Sequence, residues 1–175
     1  IRSAGTIRLR KDLQLRLDAT EPVADCHVEI SLSPGKMTID YTAVLLVPIA
    51  AHSHIFMTHM RIPEEALAGR GCRGYFTGSG SRLFVMPYRQ ARPGAFRPSG
   101  MHTVTIAMPD GALHLEAAEG SVLRLLDDPG WGGKFSAHVH SAMPWFHEPI
   151  THPKGTVFNW SFHLAVINPI AAQAE

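Results

Sequence analysis

Eleven of the 175 residues are histidines, and four of them have the spacing of metal ligands. His52-Ser53-His54 and His138-Val139-His140 are both His-x-His pairs. On an extended strand the side chains at i and i+2 leave the same face, so each pair could turn two imidazoles toward one ion. A third ligand could come from His163, from His59, or from His147 or His152 in the loop near the end of the chain. Neutral imidazole suits copper, zinc or iron. Thioethers at Met57, Met60 and Met143 would bias the choice toward copper, and Glu148 is the obvious carboxylate for a mixed site. The leading expectation is a metal-binding β protein, in its strongest form a small His-ligated metalloenzyme. Its ligand candidates are His52, His54, His138, His140 and His163, and its cofactor is one transition metal ion.

A second constellation needs no metal. Over 156–167, Phe158, Trp160, Phe162, Leu164 and Val166 alternate with Asn159, Ser161 and His163, and over 134–142 Phe135, Ala137 and Val139 alternate with Ser136, His138 and His140. Each stretch has an apolar face fit for a core and a face of short polar groups. Ser, Asn and His line wet cavities more readily than they coat an open sheet, where Lys, Glu and Thr are usual. The alternative expectation is therefore a metal-free β-barrel that binds a small molecule, cyclase- or isomerase-like, with a histidine as general acid or base. It predicts an enclosed pocket lined by Trp145, Phe146 and the polar face of the last strands, with Ser136, Asn159 and Ser161 as ligand contacts.

Charge supplies a third candidate. Arginines stand at 70, 73, 82, 89, 92 and 97, with no acid between Ala66 and Pro109, whereas Asp110, Glu116, Glu119, Asp127 and Asp128 follow against Arg124 alone. A basic strip beside an acidic one suits ligand or subunit recognition. Arg89, with aromatic residues interleaved around it, could hold a carboxylate or phosphate group. A third expectation follows, a structural or assembly module that docks copies of itself as a homo-oligomer. The net charge of only +1 argues against nucleic acid as a general partner. Gly78-Ser79-Gly80 lacks the sharp nucleophile elbow, and the glycines from Gly69 on give no phosphate loop.

The elements that must position these residues read as strands. Ile7 to Leu17 and Val28 to Tyr41 alternate with period two, and Pro34-Gly35 is a turn signal between Leu32 and Met37. A Lys11-Asp12 step suits a tight hairpin within the first stretch. Strands are also expected over 82–88, 101–108, 112–117 and 121–126, with Pro109-Asp110-Gly111 as a hairpin turn. Ile62 to Gly69 carries the one good helical cue, with Pro and acids at its start and Gly at its end. About ten short strands with one short helix make the expected fold all-β, a single-domain antiparallel β-barrel or β-sandwich over 1–170, with 171–175 as a frayed tail. A hydrophobic fraction of 45% and a charged fraction of 18% support an ordered core. The longest apolar run, Ala43 to Ala51, contains Pro48 and falls short of the roughly 18 residues of a membrane helix, so no membrane partner is expected. Cys26 and Cys72 could be bridged or remain buried thiols, and nothing assigns a compartment.

Overall fold

A computed structural model describes residues 6–16, 21–52, 55–61, 71–76, 80–85, 99–108, 111–126, 136–141 and 146–167. Alternating sequences over these residues become strands throughout: β1 (Ile7–Arg16), β2 (Pro22–Ser33), β3 (Lys36–Leu45), β4 (Ile49–Ala51), β5 (Met57–Arg61), β6 (Gly71–Phe76), β7 (Gly80–Val85), β8 (Ser99–Met108), β9 (Gly111–Ala117), β10 (Ser121–Leu126), β11 (Ser136–Ser141), β12 (Ile150–His152) and β13 (Val157–Ile167). Eleven of them form one sheet in the order β1-β2-β3-β13-β9-β8-β10-β11-β5, with β6 branching from β8 and β7 pairing β6. A separate two-stranded sheet joins β12 to β4. Every pairing is antiparallel. The expected all-β antiparallel class is the one found. The helix expected over 62–69 and the tail lie outside the described residues.

The turn at Pro34-Gly35 joins β2 to β3 with Gly35 at φ 74°, the left-handed value that the third position of a type II turn requires after proline. The hairpin at Lys11-Asp12 does not form: β1 runs straight through both residues and pairs with β2 from Ile7↔Leu32 to Arg16↔Pro22. The odd-numbered residues keep one face from Ile7 to Leu15, so an unbroken strand satisfies the pattern, and Lys11 simply takes one place in the apolar row.

One face of the large sheet supplies the core. Cross-strand registers line up Cys26, Ala43 and Phe158 in one row and Ile30, Ile39, Phe162 and Ala117 in another. Leu115, Val104, Ile106, Leu123, Leu125, Ala137 and Val139 are fully buried with them. The sheet curls so that this face closes on itself. β11 packs against β13 although the two are not neighbours in the sheet, and Trp160 Nε1 of β13 donates to Thr58 Oγ1 of β5 at 2.8 Å. Trp160, 4% exposed, is stacked between Tyr41 (centroids 5.0 Å apart) and Phe56 (6.1 Å). Sequence alone left β11 and β13 as possible sheet neighbours. They are not paired: β13 lies between β3 and β9, and β11 between β10 and β5.

The core ends before the sheet does. Ile7, Leu9 and Leu13 of the edge strand β1 point to the core side yet are 59%, 54% and 37% exposed. Cys26 and Cys72 are free and buried rather than bridged. Burial raises both thiols, Cys72 to about 12, because a thiolate loses its hydration there.

Candidate functional site

The outer face of β13 carries Asn159, Ser161 and His163, three residues that the alternation singled out. Strand pairing places each beside a polar partner of β3: Asn159 opposite Thr42, Ser161 opposite Asp40 and His163 opposite Thr38. All three contacts are hydrogen bonds. Thr42 Oγ1 donates to Asn159 Oδ1 at 2.9 Å, Ser161 Oγ donates to Asp40 Oδ1, and Thr38 Oγ1 meets His163 Nδ1 at 2.9 Å. With Nδ1 held, Nε2 is the ring nitrogen left for a ligand.

On its other side His163 is paired with Glu116 of β9, which in turn lies opposite Thr103 of β8. Directly opposed residues on one face have Cβ atoms about 4.5–5.5 Å apart, so the imidazole and the carboxylate flank a single small space. That space opens into a cleft of about 580 Å³ lined by His102, Glu116, Glu119, Gly120, Val122 and His163. A neighbouring cleft of about 260 Å³, lined by Asp40, Thr42, Ser121, Asn159 and Ser161, shares Glu119 with it.

A tight turn divides the two clefts and is clipped to β13. Ser121 N donates to Ala118 O at 2.9 Å, which closes the turn, and Gly120 takes φ 77° as the left-handed third residue. Ala118 N donates to Ser161 O, and Ser161 N donates to the buried Ser121 Oγ at 2.9 Å. Glu119 is thereby held, exposed, at the rim of both clefts. Each cleft is an open concavity on the outer side of the sheet; the enclosed pocket expected around Trp145 falls on residues outside those described.

The remaining candidates lie elsewhere. His52 follows β4, is exposed, and brings its Nδ1 to Phe146 O at 3.2 Å, while Phe146 N donates to His52 O at 2.7 Å. His138 and His140 are buried in β11, 3% and 5% exposed, on the face opposite Ala137 and Val139. The His138 ring lies 4.5 Å from that of His59, centroid to centroid. Ser136 opens β11 opposite Arg61 and Leu126. His54, Arg89 and Trp145, with most of the basic strip, lie outside the described residues.

His163 stands with Glu116 and Thr38, whereas His138 has Arg124 and His59 as its cross-strand neighbours and His140 has Val122 and Met57. Among the described residues no group of three His, Cys, Asp or Glu is placed to hold a metal ion. Among them, too, no helix is long and apolar enough to cross a membrane.

Glu116 and Glu119 stood out in the sequence only as members of the acidic strip, and His102, Asp40 and Ser121 were not singled out. The outward phase of Glu116 could have been read from the alternation of Leu113 and Leu115 with His114 and Glu116. Its meeting with His163 could not, since that depends on the pairing of β9 with β13.

No protein family model and no curated protein matches the chain. Among solved structures it is similar to a putative aldose 1-epimerase from Escherichia coli K12, with 11% identity and a TM-score of 0.47 over 92% of this chain and 65% of that one. It is also similar to the Slr1438 protein from Synechocystis sp. PCC 6803, with 11% identity and a TM-score of 0.44 over 94% of this chain and 62% of that one. The chain thus spans less than two thirds of the length of either of these two proteins.

Proposed function

We propose that this chain is a small-molecule-binding β protein whose outer clefts take a compact, hydroxyl-rich ligand, with His163 and Glu116 as a proton-transfer pair. The observation that carries the reading is the row Thr38–His163–Glu116 on the wall of a cleft. A threonine orients one ring nitrogen, and the other faces the same space as a carboxylate. Asp40, Asn159, Ser121 and Ser161 supply donors and acceptors at fixed spacing next door, which suits several hydroxyls of one ligand.

Such a pair is able to take a proton from one oxygen and return one to another, as isomerisation requires. The interconversion of aldose anomers is the simplest reaction to try. One group removes the proton of the anomeric hydroxyl while a second protonates the ring oxygen as its bond to carbon breaks, and the reverse on the other face restores the ring.

The test is NMR titration of the full chain with a panel of aldoses and polyols, followed by polarimetry of anomer interconversion. Saturable shifts at His163, Glu116 and the 118–121 turn are expected, weakened about tenfold in Glu116→Gln. A catalysed rate should fall by about 10²-fold or more in His163→Gln, the range typical of losing a general acid or base. No saturable shift at the cleft with any member of the panel would remove the reading.

A His-ligated metal is a second reading, favoured by the approach of the His59 and His138 rings to 4.5 Å. Elemental analysis of untagged protein decides it: less than about a tenth of an equivalent of copper, zinc or iron, with no stabilisation on adding them, sinks it.

A further inference from the structure

Three concavities on the outer face of the sheet adjoin one another in a line. The cleft of about 580 Å³ between His163 and Glu116 shares Glu119 with the one of about 260 Å³ beside Asp40 and Asn159. That second cleft shares Thr42 with a third, of about 440 Å³, whose wall includes Asp12, Gln14, Asp25, His27 and Val44. The line crosses β9, β13, β3, β2 and β1, four strand steps or about 19 Å along the sheet.

Strand register explains why polar groups follow one another along this line. Asp12, His27, Thr42 and Asn159 are successive cross-strand partners from β1 to β13. They are tied in pairs: His27 Nδ1 meets Asp12 Oδ1 at 2.7 Å, and Thr42 Oγ1 donates to Asn159 Oδ1 at 2.9 Å. The next row sets Asp40 beside Ser161, and the one after it Thr38, His163 and Glu116. Side chains held in this way lose little further freedom when a ligand arrives. Nε2 of His27 and His163, Nδ2 of Asn159 and Oδ2 of Asp40 are left to meet it, a mixture of donors and acceptors suited to hydroxyls.

Charge narrows the choice of ligand. The three walls carry Asp12, Asp25, Asp40, Glu116 and Glu119, and Arg10, in the row of Asp40, is engaged by Glu29 at 2.9 Å. An anionic chain would be repelled along such a path, whereas the hydroxyls of an uncharged one find acceptors.

We infer that the three concavities form one groove for an uncharged oligosaccharide, several linked sugar units long, with its end unit in the His163–Glu116 cleft. The chemistry at that end rests on the function proposed above.

The experiment titrates the full chain with glucose, with uncharged oligosaccharides of the maltose, cellobiose and xylobiose series, and with oligogalacturonates of matching length. NMR signals of His163, Thr42 and His27 report on the three concavities separately. Linking units that occupy adjacent concavities makes the later contacts intramolecular, so affinity should rise by about tenfold or more from the single sugar to the longest oligomer of the preferred series. Shifts should spread from His163 to Thr42 to His27 as the chain lengthens. Oligogalacturonates should bind about tenfold more weakly at low salt. In His27→Gln the gain from the longest oligomers should disappear. If that variant does not fold, Asp12→Asn, which loosens the hold on the ring, should cut the gain several-fold.

Shifts at His163 with glucose and no gain from chain length overturn the inference and leave the proposed function standing. Length-dependent binding without anomer interconversion does the reverse: the groove stands and the proton-transfer pair falls. Equal or tighter binding of oligogalacturonates overturns the inference, and so does an unchanged length dependence in the folded variant. No shift with any member of the panel removes both readings.

Discussion

Among the described residues, the contacts between the far arm of the curled sheet and β13 include a single hydrogen bond that can be removed nearly isosterically. Trp160 Nε1 donates to Thr58 Oγ1 at 2.8 Å, with the indole 4% exposed between Tyr41 and Phe56. Thr58→Val keeps the shape but leaves a buried N–H without an acceptor, which costs about 1–3 kcal/mol. Trp160→Phe removes the donor together with part of the ring, and the lost burial and lost bond together cost about 2–3 kcal/mol. In the Trp160→Phe background, Thr58→Val strands no donor and should cost close to nothing. A double-mutant cycle should therefore return a coupling of about 1–3 kcal/mol. Urea unfolding read by far-UV circular dichroism suits all four proteins, because it does not depend on Trp160 emission. Thermal melts provide a cross-check, since about 1 kcal/mol corresponds to roughly 2–4 °C at this chain length. A coupling below about 0.3 kcal/mol, or a stabilising Thr58→Val, would refute the claim that β5 closes onto β13 through this bond.

Other predictions are shorter. Cys72 is 0% exposed and raised from 9.0 to about 12. The folded state therefore keeps its proton where the unfolded chain loses it, and stability is intact below pH 9 and falls as pH rises toward 12, by up to about 1.4 kcal/mol per unit. Cys72→Ala should flatten that limb in alkaline denaturation, and an unchanged slope would count against the burial described. Gly120→Ala meets no steric neighbour but places a side chain at φ +77°, so it should destabilise by about 1 kcal/mol in urea melts. The same variant should also loosen ligand binding at the clefts, which the titration above reads directly.

The fold class was legible because period-two alternation survives in nearly every strand. Val28, Ile30 and Met37 read as one face without any knowledge of the pairing, and Pro34-Gly35 named its own turn. The polar face of β13 was legible for the same reason: Asn159, Ser161 and His163 share a phase. Its partners were not. Asp40 and Thr38 come from a strand more than a hundred residues earlier in the chain, and Glu116 from one that reaches β13 only through sheet order. The misread hairpin at Lys11-Asp12 is instructive in another way. A polar pair within a long strand resembles a turn locally, and only the unbroken phase of the leucines on either side distinguishes the two. Period-two spacing put His138 and His140 on one face of β11, yet spacing says nothing about which way a curled sheet turns that face.

Lys11 itself has a consequence for how the chain survives in a crowded solution. β1 is a ten-residue strand at the border of the sheet, and its inward row of Ile7, Leu9, Leu13 and Leu15 is an adhesive template for any extended segment that meets it. A single ammonium at the centre of that row must be desolvated, or brought against its own copy, whenever another strand tries to zip along the border. The residue that sequence reading mistook for a bend is thus placed as a gatekeeper, and among the described residues it guards a ten-residue border of the sheet against becoming a seed for fibres.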